Sequence, residues 1–200
     1  MRLRDLAVSS GAYGGRVRTS RTFRVTAAVA LAAVLATGSA ACSSSSGSGS
    51  GTATETISSN CTIGVPTDLN TKPVPQIAAS CTTPPSSLVL KTVVKGTGNE
   101  VHLGQEVSVR YVGYTWSNKR EFDEVWTNGK VFQFPVGLGR VIAGWDQGLL
   151  DIPTGSRVLM VIPPNLAYGS TGTGPIGPNE TLIFVVDVEE VGAIGGVPTG

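Results

Sequence analysis

Ten of the twelve Phe, Trp and Tyr residues lie between Tyr111 and Phe184, and only Tyr13 and Phe23 lie outside that window. A core is built from bulky apolar side chains, and the first 87 residues hold too few of them to make one. A single small domain from about Leu88 to about Val191 is therefore expected, with appendages before and after it.

The leading segment has the three parts of an export signal. Residues 1–24 are basic, carrying Arg2, Arg4, Arg16, Arg18, Arg21 and Arg24 against Asp5 alone. Val25 to Ala36 is a twelve-residue apolar run, too short for a bilayer that needs roughly 20 residues. Gly38-Ser39-Ala40-Ala41-Cys42 then ends the segment on small residues and a cysteine. This end resembles a bacterial lipobox, except for Ser39 where an aliphatic residue is usual. A signal peptide over 1–41, a lipid on Cys42 and anchoring to the outer face of the cell membrane are expected. Plain cleavage before Cys42, giving a secreted protein, is the alternative.

Without residues 1–41 the chain has nine basic and thirteen acidic residues, a net charge of −4. That balance has no basic patch and gives no case for nucleic acid. In an exported chain the remaining Cys61 and Cys81 are expected to pair, worth roughly 3 kcal/mol on a loop-entropy estimate. Two free thiols are the alternative. A metal site is disfavoured, because His102 is the only histidine and no ligand cluster accompanies it.

Residues 42–60 are mostly Ser, Gly and Thr and read as a flexible tether. Residues 61–87 carry Pro66, Pro73, Pro75, Pro84 and Pro85 and read as irregular chain stapled by the Cys61–Cys81 bridge. From Leu88 the pattern becomes strand-like. Leu88 to Val94, Val107 to Val112 (extending toward Trp116), Glu121 to Glu124, Val131 to Phe134, Ser156 to Ile162 and Thr181 to Glu190 are separated by turn residues or prolines. Residues 192–200 form a tail.

Only Val141 to Leu150 reads as a helix. Ile142, Trp145 and Leu149 share one face, Gly144 permits a close approach, and Gly148 argues for a short element. The expected fold is α+β, an antiparallel sheet of about five strands curled around one short helix. Taken singly, Tyr111, Phe132, Trp145 and Phe184 read as core, and Asp123 reads as a turn acid.

No Ser/His/Asp set is available without His102, and the glycines at 172, 174 and 177 lack the strand-loop-helix context of a phosphate loop. They read as a flap. What remains is a group of aromatics with one carboxylate, Asp123, and one loop tyrosine, Tyr168, the composition of a cleft for an apolar group with few polar anchors.

Six short blocks, taken in order, resemble the FKBP-type peptidyl-prolyl isomerases across residues 88–191. They are Val109-Arg110-Tyr111-Val112-Gly113, Phe122-Asp123, Phe132-Gln133-Phe134, Val141 to Gly148, Ile162 to Gly169, and Thr181-Leu182-Ile183-Phe184. The resemblance implies prolyl-peptide binding, and often binding of the macrolides tacrolimus and rapamycin, with no cofactor. It implies that a proline ring lies on Trp145, between apolar walls from Tyr111, Phe122, Phe132, Val141, Ile142 and Phe184. It implies Asp123 beside the bound amide, Tyr168 and the Ile142 N–H as hydrogen-bond donors, and Ile176 as the apolar contact of the flap. Two departures stand out. Asn128 replaces an arginine that pairs with the pocket carboxylate in many members, and the flap is one residue shorter, reading Ile176-Gly177-Pro178.

The chemistry suits such a cleft. An X–Pro bond crosses a barrier of about 18–20 kcal/mol that comes from amide resonance, so no proton or nucleophile has to be supplied. The expected protein is a monomeric prolyl isomerase acting on unfolded exported proteins. A non-catalytic peptide-binding or chaperone module on the same fold is the alternative, motivated by Asn128 and the flap.

Overall fold

The computed structural model describes residues 51–194. Within them the chain forms β1 (Thr52–Ser58), β2 (Cys61–Pro66), β3 (Gln76–Ile77), β4 (Val89–Val94), β5 (Gln105–Thr115), β6 (Glu121–Glu124), β7 (Phe132–Pro135), α1 (Ala143–Gly148), β8 (Arg157–Ile162) and β9 (Leu182–Ile194). The leader, Cys42 and the first part of the expected tether lie outside the described residues, as does the end of the C-terminal tail.

The main sheet is antiparallel, in the order β4-β8-β9-β5-β6. Strand β5 is eleven residues long and works on both edges. One edge takes β9 along its whole length. The other takes β7 at Glu106–Val109 and β6 at Val112–Tyr114. The turn between β6 and β7 therefore leaves the sheet beside the middle of β5, at Tyr111.

Register builds the inner face in rows. Val158, Val186 and Tyr111 stand opposite one another on β8, β9 and β5, and Met160, Phe184 and Gly113 form the next row. A Cβ on Gly113 would stand 2.7 Å from Phe122 and 2.8 Å from Phe184, so only glycine lets those two rings meet edge to face at 5.6 Å. Helix α1 packs on this face. A Cβ on Gly144 would stand 2.4 Å from Ile162, so the glycine brings the helix down onto β8. The helix ends at Gly148, and Trp145 and Leu149 are buried in the core.

The outer face is covered as well, which corrects the expected tether and irregular segment. Within 51–87 the structure shows a second antiparallel sheet, β1-β2-β3, where the end of a flexible tether and a stapled irregular segment are expected from the sequence. Cys61, Ile63 and Val65 of β2 and Cys81 bury against Val112, Tyr114, Leu159, Val161, Ile183 and Val185. The segment holds too few apolar residues for a core of its own, so it shares the one offered by the back of the main sheet. Cys61 and Cys81 are joined, and both are buried.

A buried guanidinium anchors this strap. Arg157 of β8 donates to both carboxylate oxygens of Asp187 on β9, at 2.6 and 2.7 Å. It also donates to the carbonyls of Pro66, Asp68 and Thr71 at 2.6, 3.0 and 3.2 Å. Lys72 then reaches Glu121 of β6 at 2.9 Å, tying the strap to the sheet edge as well.

Candidate active site

Helix α1, the β6–β7 edge and the loop after β8 enclose a cleft of about 290 Å³. Its lining includes Trp145, Tyr111, Phe132, Phe184, Phe122, Val141 and Ile142, with Asp123, Tyr168 and Arg140 as polar members. Ligand pockets run from roughly 300 to 1,000 Å³, so this one is small and suits a single ring with its flanking bonds.

The aromatic rings hold one another in place. Tyr111 and Phe184 meet the Trp145 indole edge-on at 5.0 and 5.2 Å, and Phe132 does so at 6.1 Å. Such edge-to-face contacts are favoured by the ring quadrupoles. Trp145 is only 3% exposed, yet it lines the cleft, while Phe132 and Tyr168 at the mouth are 38% and 39% exposed. The indole is a floor reached from solvent rather than a sealed core residue.

The loop leading into α1 is set by Asp146, whose carboxylate accepts the Gly137 and Gly139 N–H groups at 2.8 Å each. That contact presents Arg140, Val141 and Ile142 to the cleft. The Ile142 carbonyl accepts from Trp145 and Asp146, but the Ile142 N–H has no partner among the described residues. It is a backbone donor free to meet a ligand carbonyl.

Tyr111 donates its hydroxyl to Asp123 at 2.5 Å, and the other Asp123 oxygen accepts the Glu124 N–H at 2.9 Å. Burial, together with this bond, pushes the Tyr111 hydroxyl above its ordinary range. Burial and the Asp123 charge raise the Tyr168 hydroxyl in the same direction. A raised phenol keeps its proton to higher pH, so both hydroxyls stay donors well past neutrality. Among the described residues Asp123 has no ion pair, in keeping with asparagine at 128.

The structure brings together every residue expected at the cleft except Ile176. That side chain is 5% exposed and belongs to the core cluster, not to the lining. A tight turn in which Thr173 and Ile176 exchange backbone hydrogen bonds tucks it inward. Arg140 was missed, and its signal was its place directly before Val141 and Ile142.

Comparison with known proteins agrees with this geometry. The FKBP-type peptidyl-prolyl cis-trans isomerase family matches residues 98–189. An FK506-binding protein of Streptomyces anulatus is 46% identical over 110 residues, covering 54% of this chain and 89% of the relative. FK506-binding protein 2 of Emericella nidulans is 42% identical over 95 residues, covering 48% and 68%. Among solved structures, FkpA from Escherichia coli is 38% identical with a TM-score of 0.50, covering 54% of this chain and 49% of that one. The matched family is a class of enzymes that turn prolyl bonds, and the small aromatic cleft over one helix is compatible with it. The chain belongs to the FKBP-type peptidyl-prolyl cis-trans isomerases.

Proposed function

We propose that the Trp145 cleft takes the ring of a substrate proline, and that the enzyme works by desolvating the X–Pro amide and fitting its twisted form. The observation that carries this reading is the indole floor reached from solvent, with free donors beside it at Tyr168 and Ile142. Out of water, the charge-separated planar amide loses solvation, and a site that fits the twisted amide better than either planar form lowers the barrier. A reduction of roughly 5 kcal/mol corresponds to several-thousand-fold acceleration. The Ile142 N–H and the Tyr168 hydroxyl would hold the flanking carbonyls, with Asp123 and Tyr111 fixing the wall beside the bond.

A protease-coupled proline isomerisation assay on the purified protein tests the reading. Peptide binding without acceleration would favour a non-catalytic peptide-binding module instead. Tyr168→Phe is expected to lower kcat/KM by about fivefold, the value of one ordinary hydrogen bond of about 1 kcal/mol.

The pH profile is a separate check. Both pocket phenols are raised, and no group among the lining residues ordinarily titrates near neutrality, so the rate should be flat from roughly pH 6 to 9. A bell-shaped profile centred near neutrality would mean that a proton transfer has been overlooked.

The export leader and the joined, buried Cys61–Cys81 pair support a working place outside the cytoplasm, where disulfides persist. We place the enzyme at the outer face of the membrane, held by a lipid on Cys42 and assisting the folding of exported proteins. Mass spectrometry of the mature amino terminus tests the anchor. The names of the relatives support binding of FK506-type macrolides in the same cleft, and competition in the isomerase assay tests that.

A further inference from the structure

Beyond Phe122 lies a second groove of about 270 Å³, lined by Thr115, Asn118, Arg120, Glu121, Phe122 and Pro175. Phe122 lines both this groove and the Trp145 cleft, so the two share a wall. Four of its six lining residues are polar or charged, and the charges there are unevenly engaged. Glu121 uses one oxygen on Lys72 at 2.9 Å and the other on the Tyr114 hydroxyl at 2.8 Å. Nearby, Glu180 uses both oxygens on Ser117, at 2.9 and 2.7 Å. Lys119 donates to the carbonyls of Cys81 and Trp116 and lies over the Trp116 ring.

Arg120 differs from these neighbours. Its N–H donates to Asn118 at 2.9 Å and its carbonyl accepts from Thr115 at 3.0 Å, which fixes its backbone at the groove. Its side chain is exposed and has no ion pair among the described residues.

We infer that this groove is a second substrate subsite, with Arg120 selecting prolyl peptides that carry an acidic residue close to the proline. The inference rests on the reading of the Trp145 cleft as the prolyl site. An extended peptide advances about 3.3 Å per residue. Two or three residues then span roughly 7–10 Å, more than the width of the one ring, Phe122, that lines both the cleft and the groove. A carboxylate in the groove meets a planar guanidinium that can hold both of its oxygens. A lysine there meets the same charge with the wrong sign.

The test compares matched prolyl peptides with Glu, Ala or Lys placed two or three residues before or after the proline. The readout is the ratio of kcat/KM for the Glu and Lys peptides within each protein, which cancels any general loss of activity in a variant. At low salt the ratio should reach about fivefold at one position and decline toward unity as salt rises. Arg120→Ala should bring it close to one, and Arg120→Glu should invert it. Turnover of the Ala peptide with no discrimination, or discrimination unchanged by both variants, overturns the subsite. No turnover of any peptide overturns the prolyl-site reading itself.

Discussion

Trp145→Ala is expected to remove nearly all isomerase activity, by at least about a hundredfold in kcat/KM, because the floor under the proline ring disappears. Tyr111, Phe132 and Phe184 all rest their edges or faces on that indole. Deleting a buried indole also leaves a cavity, which typically costs about 3–5 kcal/mol. Activity must therefore be measured where the variant is still folded, as judged by its denaturation curve. Trp145→Phe separates the two effects. The Trp145 indole N–H is buried without a hydrogen-bond partner among the described residues, so phenylalanine gives up no bond and keeps an aromatic floor. Trp145→Phe should retain most activity where Trp145→Ala does not. Equal losses in Trp145→Ala, Trp145→Phe and Tyr168→Phe would mean that the proline ring sits elsewhere.

Arg157→Met is expected to be strongly destabilising, at about 3–5 kcal/mol from the broken buried ion pair alone. The variant leaves the Asp187 carboxylate buried, at 3% exposure, without its cation. It also removes the donors to the carbonyls of Pro66, Asp68 and Thr71, which hold the strap. Replacing Asp187 by leucine in the same chain should recover only part of the loss, since those three carbonyls remain unserved.

The pH dependence of this variant has a definite sign. Burial pushes the Asp187 carboxyl up even with Arg157 present to pull it down. A carboxyl raised in the folded state holds more protons folded than unfolded. Its penalty is therefore absent below the ordinary carboxylate range near roughly 4 and grows as pH rises through the folded value. Arg157→Met should lie closest to the parent at the acid end and furthest from it at neutral pH. Chemical denaturation at both pH values checks this, and limited proteolysis should show the strap cut first. A strap that stays resistant in Arg157→Met would show that β2 and the bridge hold it unaided.

The same contacts bear on where the domain can be trimmed. A fragment starting near residue 84 keeps every residue of the cleft, but it uncovers Val112, Leu159, Val161, Ile183 and Val185 and strips the carbonyl partners from Arg157.

Much of this molecule was legible along the chain because local chemistry determined it. The alternation of Val107, Val109 and Tyr111 set one strand face, the i, i+3, i+7 spacing of Ile142, Trp145 and Leu149 set the helix face, and Gly148 set its end. The six motif blocks contain nine of the ten residues that line the cleft, and Arg140 lies just before the fourth block. One local signal was read too narrowly. Val158 to Ile162 and Leu182 to Val186 are unbroken apolar runs, and strands that read so are covered on both faces.

What covers the second face was decided only in three dimensions. Nothing in the spacing of Pro66, Asp68 and Thr71 marks their carbonyls as partners of a guanidinium some 90 residues away, and backbone groups carry no side-chain signature. Ile176 was placed inward by a turn whose hydrogen bonds are likewise between backbone groups. Periodicity and motif order report what a residue prefers beside its neighbours. The strap, the buried ion pair and the unengaged charge of Arg120 depend on which distant surfaces meet, and only the packed chain settles that.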